Sequence, residues 1–346
     1  MTYDVIVIGG GQSGLAVGYY LRREKLSYLI LDAQEKPGGA WQHAWDSLTL
    51  FSQAQSSSLP GVMFPGGSDY PHRDEVINYL QMYESRYHLP VKRAVRVNDV
   101  RRKEEDFEIT TNKGEFTAKT IINATGTWSK PNIPDIPGLE SFSGISIHSS
   151  AYKNPELFTG KKVLIVGEGN SGAQIMSELS KVAEATWATT RVPVFLPDHI
   201  DGAYLFNQAT FMYKAKQRGE EFKPASLGDI VVVPSVKEAR DEGRLSFREG
   251  LAEVQPHAVV WKDGTRQAID AIIWCTGFKP ALGHLTGVGI SVGDKPELKG
   301  NMSAKVAGMW FVGYGNWTGF ASATLIGVGR SARKTVKEVV AYLSRQ

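Results

Sequence analysis

Two short apolar runs, Tyr3 to Ile8 and Lys162 to Val166, each end in a cluster of glycines, and each cluster opens a stretch whose apolar residues recur at helical spacing. The pattern predicts a strand, a tight turn and a helix from about Ser13 to Arg23, then the same sequence again with a helix from about Ser171 to Lys181. Tyr28 to Leu31 predicts the next strand of the first half. Phe107 to Thr111, the turn Asn112-Lys113-Gly114 and the run from Glu115 predict a hairpin leading into Ala124-Thr125-Gly126. His257 to Trp261, Lys262-Asp263-Gly264 and the run from Thr265 predict a second such hairpin leading into Cys275-Thr276-Gly277. Helices are predicted over Glu75 to Tyr87 and Thr324 to Ser344. One architecture is used twice, so the expected fold class is α/β with two Rossmann-like dinucleotide-binding domains.

The turns carry the chemistry. They read Gly9-Gly10-Gly11-Gln12-Ser13-Gly14 and Gly167-Glu168-Gly169-Asn170-Ser171-Gly172. Gly9 and Gly167 permit the tight turn. Gly11 and Gly169 let a pyrophosphate approach the backbone, and Gly14 and Gly172 let helix pack on strand. Gln12, Ser13, Asn170 and Ser171 lie at helix entries, where unpaired N–H groups and the positive dipole end receive phosphate. Two such turns in one chain imply two dinucleotides, and so electron transfer between two cofactors.

The halves differ at the adenosine ribose. Asp32 follows Gly14 by 18 residues, where a carboxylate accepts hydrogen bonds from ribose hydroxyls and repels a 2′-phosphate. The first site therefore suits FAD or NAD. The same offset from Gly172 lands on Thr190, followed by Arg191, which suits the 2′-phosphate of NADPH. A charge-assisted hydrogen bond of roughly 1.5–3 kcal/mol would favour NADPH over NADH about ten- to hundredfold.

Composition narrows the class. The chain has 346 residues, 42% hydrophobic and 22% charged, with a net charge of +3 and no block of cations of the kind that tracks nucleic acid. No apolar run is long enough to span a membrane, and Asp4 interrupts the first one, which argues against a signal peptide. The one cysteine, Cys275, excludes disulfides and a Cys-x-x-Cys relay and points to a reducing, cytoplasmic setting. No Cys/His cluster has metal-site spacing.

With Gly38-Gly39-Ala40-Trp41 and Phe142-Ser143-Gly144-Ile145-Ser146-Ile147-His148-Ser149-Ser150-Ala151-Tyr152 added, the chain resembles the flavin-containing monooxygenases, and its length is similar to that of the compact bacterial members. The second stretch matches that family's FxGxxxHxxxY fingerprint, with Tyr152 where the Baeyer–Villiger relatives carry Trp. The resemblance implies a glutathione-reductase-type two-domain flavoprotein. Residues 1–155 and 278–346 would hold FAD, and 156–277, inserted between them, would hold NADPH. It implies FAD contacts at Gly9, Gly11, Gln12, Ser13, Gly14, Asp32, Gly39, Trp41, Ser52, Val97, Ala124, Thr125, Gly126 and Asn316. NADP contacts are implied at Gly167, Gly169, Asn170, Ser171, Gly172, Thr190, Arg191, Cys275, Thr276 and Gly277.

The implied reaction passes hydride from NADPH to FAD, forms a C4a-hydroperoxyflavin with O2 and oxygenates a soft nucleophile such as a sulfide or amine. Partners would be a small-molecule substrate and O2, with neither nucleic acid nor membrane; a homodimer is compatible with the sequence. Because the flavin carries the chemistry, no side chain stands out as catalytic; Ser52 and His148 are candidates, and the place of His148 in the interdomain crossing favours a structural role for it. The family's flavin-facing Asn has no counterpart around Phe51-Ser52, and Asn316 stands where related flavoproteins end their last strand in Gly-Asp. An NAD(P)H-dependent flavin oxidase or reductase, or a redox accessory flavoprotein, therefore stays open. Trp41 to Arg73 is expected to cover the flavin, and His199 to Asp229 to form either a substrate lid or ordinary packing.

Overall fold

A computed structural model describes residues 2–66, 70–198, 200, 204, 211, 218–220, 229–291 and 295–346. Most of the expected lid, including Phe206, Met212 and Tyr213, lies outside the described residues; Tyr204 and Phe211 are described and exposed. The chain begins β1 (Thr2–Ile8), α1 (Gln12–Leu21), β2 (Tyr28–Leu31), α2 (Arg73–Arg86), β3 (Val91–Lys92), β4 (Val97–Lys103), β5 (Asp106–Thr111) and β6 (Gly114–Asn123). It continues with β7 (Ile145–His148), β8 (Lys162–Val166), α3 (Asn170–Leu179), β9 (Glu184–Thr189), α4 (Pro234–Asp241) and β10 (Phe247–Glu249). It ends with β11 (Leu251–Gln255), β12 (Ala258–Trp261), β13 (Arg266–Ala268), β14 (Ala271–Trp274), β15 (Leu298–Lys299), β16 (Met302–Ser303), β17 (Met309–Phe311) and α5 (Leu325–Leu343).

The chain divides into two compact units. The first holds Met1–Gln42, Gln53–Lys130 and Lys279–Gln346; the second holds His43–Ser52 and Pro131–Phe278. The second unit therefore begins before residue 156, because β7 pairs in parallel with β14 and carries the preceding stretch with it.

Among the described residues, the sheet of the first unit runs β15-β16-β17-β6-β1-β2-β3, with the β4–β5 hairpin joined to β6. Its β17-β6-β1-β2-β3 stretch is parallel. Val5, Ile6 and Val7 are fully buried, as expected of a parallel strand covered on both faces. The sheet of the second unit runs β10-β9-β8-β14-β7, all parallel, and β11-β12-β13 form a separate antiparallel sheet. Val254, Val259 and Trp261 of that small sheet pack with Leu164, Ile272 and Trp274 of the parallel one. Each such side chain contributes about 1.5–3 kcal/mol by leaving water.

The two halves repeat as far as the hairpins, then diverge. In the first, β6 is one strand that both closes the hairpin and enters the parallel sheet. In the second, the corresponding run breaks at Ile269-Asp270 into β13 and β14. Asp270 makes the break: its carboxylate accepts from Lys162 N at 2.8 Å and its backbone bonds to Ile145 and Lys162.

Candidate functional site

The two turns are built alike. Gly9 has φ +107° and Gly167 φ +123°, conformations that side-chain-bearing residues rarely adopt. A Cβ on Gly9 would lie 2.4 Å from the Ala124 carbonyl oxygen, and one on Gly167 would lie 2.4 Å from that of Cys275. A Cβ on Gly14 would meet Gly9 O at 1.9 Å, and one on Gly172 would meet Gly167 O at 2.1 Å. Helix thus presses on turn, and turn on the neighbouring strand end, twice over. The middle glycines are different. Among the described residues, nothing lies within 4 Å of a Cβ on Gly169, and only Gly39 Cα, at 3.7 Å, lies near one on Gly11. These are the positions a pyrophosphate would approach. Gly11 and Gly169 are also the N-caps of α1 and α3, and neither helix has a side-chain cap or an acidic residue in its first turn. The donors a phosphate would use are left to it.

Asp32 sits at the end of β2, buried, in an ion pair with Arg93, which also pairs with Glu84. Burial pushes its carboxyl up, while Arg93 and the N–H groups of Gln34, Gly10 and Ala33 pull it down. Val95 N–H donates to the Asp32 carbonyl at 2.8 Å. Val97 opens β4, partly buried against the core. Arg93 and Glu84 were not evident in the sequence, since they lie far from the turn and carry no motif.

The register corrects the reading of the second ribose position. Gly9 N donates to Leu31 O at 2.8 Å, and Gly167 N to Ala188 O at 2.9 Å. Asp32 therefore corresponds to Thr189, and Ala33 to Thr190. The offset of 18 overshoots by one residue because the second half is one residue shorter here. Thr189 Oγ1 is buried and has no hydrogen-bond partner among the described residues. Nor is the acid missing. Glu168, inside the turn, accepts from Thr190 Oγ1 at 2.7 Å and from Thr190 N at 3.2 Å, and lies 3.8 Å from Arg191 Nε.

The strand ends beside the turns also correspond. Ala124 N donates to Ile8 O at 2.8 Å and Cys275 N to Val166 O at 2.7 Å. Thr125 Oγ1 bonds to Ala281 O and to the Tyr314 hydroxyl; Thr276 Oγ1 donates to Asn132 O. Gly126 O accepts from Ala281 N at 3.0 Å. Burial pushes the Cys275 thiol up to about 12, so it is no thiolate nucleophile at neutral pH.

Some expected residues are used structurally. Asn170 accepts from Val231 N and donates to Asp229 O, fixing a neighbouring loop. Gln12 accepts from Trp41 Nε1 at 3.0 Å and donates to Ala323 O at 2.7 Å, joining the first turn, the Gly38-Gly39-Ala40-Trp41 segment and the approach to α5. Gly39 packs on Gly11, and Ser13 on Gly313. That last contact brings Gly313 and Tyr314 to the start of α1. Asn316 lies two residues further on and is exposed. The α5 N-terminus is capped by Thr324, which accepts from Gly327 N at 3.1 Å.

His148 is not free to act as a base. Nε2 lies 3.0 Å from Gly277 O, and Nδ1 lies 3.1 Å from both Ser150 N and Ser150 Oγ. Burial lowers its pKa. Buried Tyr152 donates to Glu178 Oε2 at 2.6 Å on α3, and burial raises its pKa. Both fingerprint side chains brace the second unit. Ser52 is buried and belongs to the same unit, whereas Asp32 and the first turn belong to the other. Ser171 is the second residue of α3, beside Gly172.

The residues present fit two dinucleotides: two open glycine cradles, two uncapped helix N-termini and a carboxylate at each ribose position. Among the described residues there is no group of three metal-ligating side chains, and no helix is long and apolar enough to cross a membrane.

The comparisons agree with this geometry. Residues 6–197 match the family model for pyridine nucleotide-disulphide oxidoreductases. A flavin-containing monooxygenase from Stenotrophomonas maltophilia is 47% identical, with a TM-score of 0.91 over 99% of both chains. An uncharacterized oxidoreductase, CzcO, of Bacillus subtilis (strain 168) is 31% identical over 97% of this chain and 99% of its own length. Indole-3-pyruvate monooxygenase YUCCA1 of Oryza sativa subsp. japonica is 24% identical over 96% of this chain and 90% of its own.

Proposed function

This chain belongs to the pyridine nucleotide-disulphide oxidoreductase family, among its flavin monooxygenases, and from that premise we propose that it oxygenates small soft nucleophiles, sulfides or amines, at the expense of NAD(P)H and O2. It is an FAD-dependent oxidoreductase with FAD and NAD(P)H as cofactors. The carrying observation is the duplicated turn. Gly9 and Gly167 press on Ala124 and Cys275 in the same way, while Gly11 and Gly169 stay open.

Bound FAD would supply hydride acceptance, reaction with O2 and delivery of one oxygen atom, the other leaving as water. The chain's own part is positioning. Gly11 and the α1 N-terminus would seat the FAD pyrophosphate, and Asp32 its ribose. Gly169 and the α3 N-terminus would seat the nicotinamide dinucleotide, NADPH among the candidates, with Thr189, Thr190, Glu168 and Arg191 around its ribose. Gln12 would hold Trp41 and the Ala323 carbonyl around the first turn.

The test is to reduce the purified flavoprotein anaerobically with NAD(P)H, mix it with oxygenated buffer and follow flavin absorbance in a stopped flow. A near-ultraviolet species that persists before oxidised flavin returns, and is consumed faster when a sulfide is added, supports the monooxygenase. Direct return to oxidised flavin with stoichiometric peroxide would make the protein an oxidase or reductase instead.

A further inference from the structure

The two ribose positions contain the same chemical group brought from opposite sides. In the first half the carboxylate stands on the strand, at Asp32, and the turn residue facing it is Gly10. A Cβ on Gly10 would come within 2.8 Å of Asp32 Cβ and 2.9 Å of Asp32 Oδ2. A side chain at this turn position therefore runs into the space the ribose acid occupies. In the second half the strand residue is Thr189, and the turn position is Glu168. Both carboxylates also take a backbone donor. Asp32 accepts from the backbone N–H of Gln34 at 3.3 Å and Glu168 from that of Thr190 at 3.2 Å, in each half a donor from the chain leaving the strand. Gly10 with Asp32 has become Glu168 with Thr189.

We propose that Glu168 is the residue that discriminates between nicotinamide cofactors, and that its carboxylate makes the second site accept an unphosphorylated ribose, as in NADH. This rests on the reading that Gly167 to Gly172 binds a nicotinamide dinucleotide. A carboxylate there accepts hydrogen bonds from the ribose hydroxyls and opposes a 2′-phosphate by like charge. Arg191, which alone would favour the phosphate, lies beside Glu168 and is 60% exposed, so water and the acid both screen it. The strong NADPH preference expected from Thr190 and Arg191 is thereby withdrawn.

The experiment uses the FAD-loaded protein and calorimetric titration with 5′-ADP and 2′,5′-ADP, followed by NAD+ and NADP+. Wild type is expected to bind the unphosphorylated member of each pair at least as tightly as the other. Glu168→Gln keeps hydrogen-bonding capacity towards Thr190 but loses the charge. It should shift the ratio towards the 2′-phosphorylated ligands by about tenfold or more, the effect of one charged contact, with the melting temperature unchanged. Arg191→Ala should weaken 2′,5′-ADP binding in the Glu168→Gln background and hardly at all in wild type. An unchanged ratio in Glu168→Gln, or a wild type already tenfold in favour of 2′,5′-ADP, overturns the assignment of Glu168 alone. If wild type binds none of the four ligands, the dinucleotide reading of the second turn falls with it.

Discussion

His148 Nε2 lies 3.0 Å from the carbonyl oxygen of Gly277, a group that only accepts, so this nitrogen carries the proton and Nδ1 accepts from Ser150 N–H. The ring ties the end of β7 to the loop after β14. A histidine with both nitrogens committed is a brace.

His148→Gln, whose amide can still donate to Gly277, should therefore retain flavin reduction within about tenfold of wild type, whereas loss of a general base costs 10²–10⁴-fold, to order of magnitude. The same variant should melt at a lower temperature. Steady-state rates and a thermal scan decide it; a hundredfold fall in kcat with an unchanged melting temperature would restore His148 as a base.

The glycines of the second turn should separate binding from folding. Gly169→Ala introduces a methyl that meets no other part of the described chain within 4 Å. The variant should fold, stay yellow and bind NAD(P)+ at least about tenfold more weakly, since the backbone can no longer approach the pyrophosphate. Gly172→Ala drives a Cβ to 2.1 Å from Gly167 O and should cost about 3 kcal/mol or more in denaturant unfolding. Equal nucleotide affinity in Gly169→Ala would remove the site.

Acid sensitivity should trace to His284. It is buried against Asn123, with Nε2 3.0 Å from Asn123 Oδ1, and burial lowers its pKa from 6.5 to about 4, with Asp99 opposing. The unfolded chain takes up the proton first as pH falls, so stability is full above about 6.5 and is lost progressively towards about 4. The loss is on the order of 3 kcal/mol from this group. Chemical denaturation at several pH values should show a shallower slope for His284→Gln than for wild type across that window.

What the sequence revealed, and what it hid, divides by range. The turns around Gly9 and Gly167 were legible because steric demand is local: glycine, spacing and the flanking apolar runs lie within a dozen residues. The strand ends at Ala124 and Cys275 were legible for the same reason, each closing a hairpin with a glycine turn. Arg93 and Glu84 were not, because their partnership with Asp32 exists only once α2 and the loop after β3 are folded beside β2. Thr190 was read one residue out of register, since counting along the chain ignores the shorter link in the second half. Glu168 was in plain view as an acid between two turn glycines, but an offset rule looks for the acid on the strand.

The order of the strands has a consequence for the chain as it is made. β6 pairs with β1 on one side and β17 on the other, so the first sheet closes over residues from both ends of the sequence. Every residue of the second unit, by contrast, precedes Lys279. On the ribosome the second unit is available to fold while the first still lacks β17 and α5. The nascent first unit waits with the 121–123 end of β6 unpaired on the β17 side, and that interval is when a chaperone would have an exposed strand end to guard.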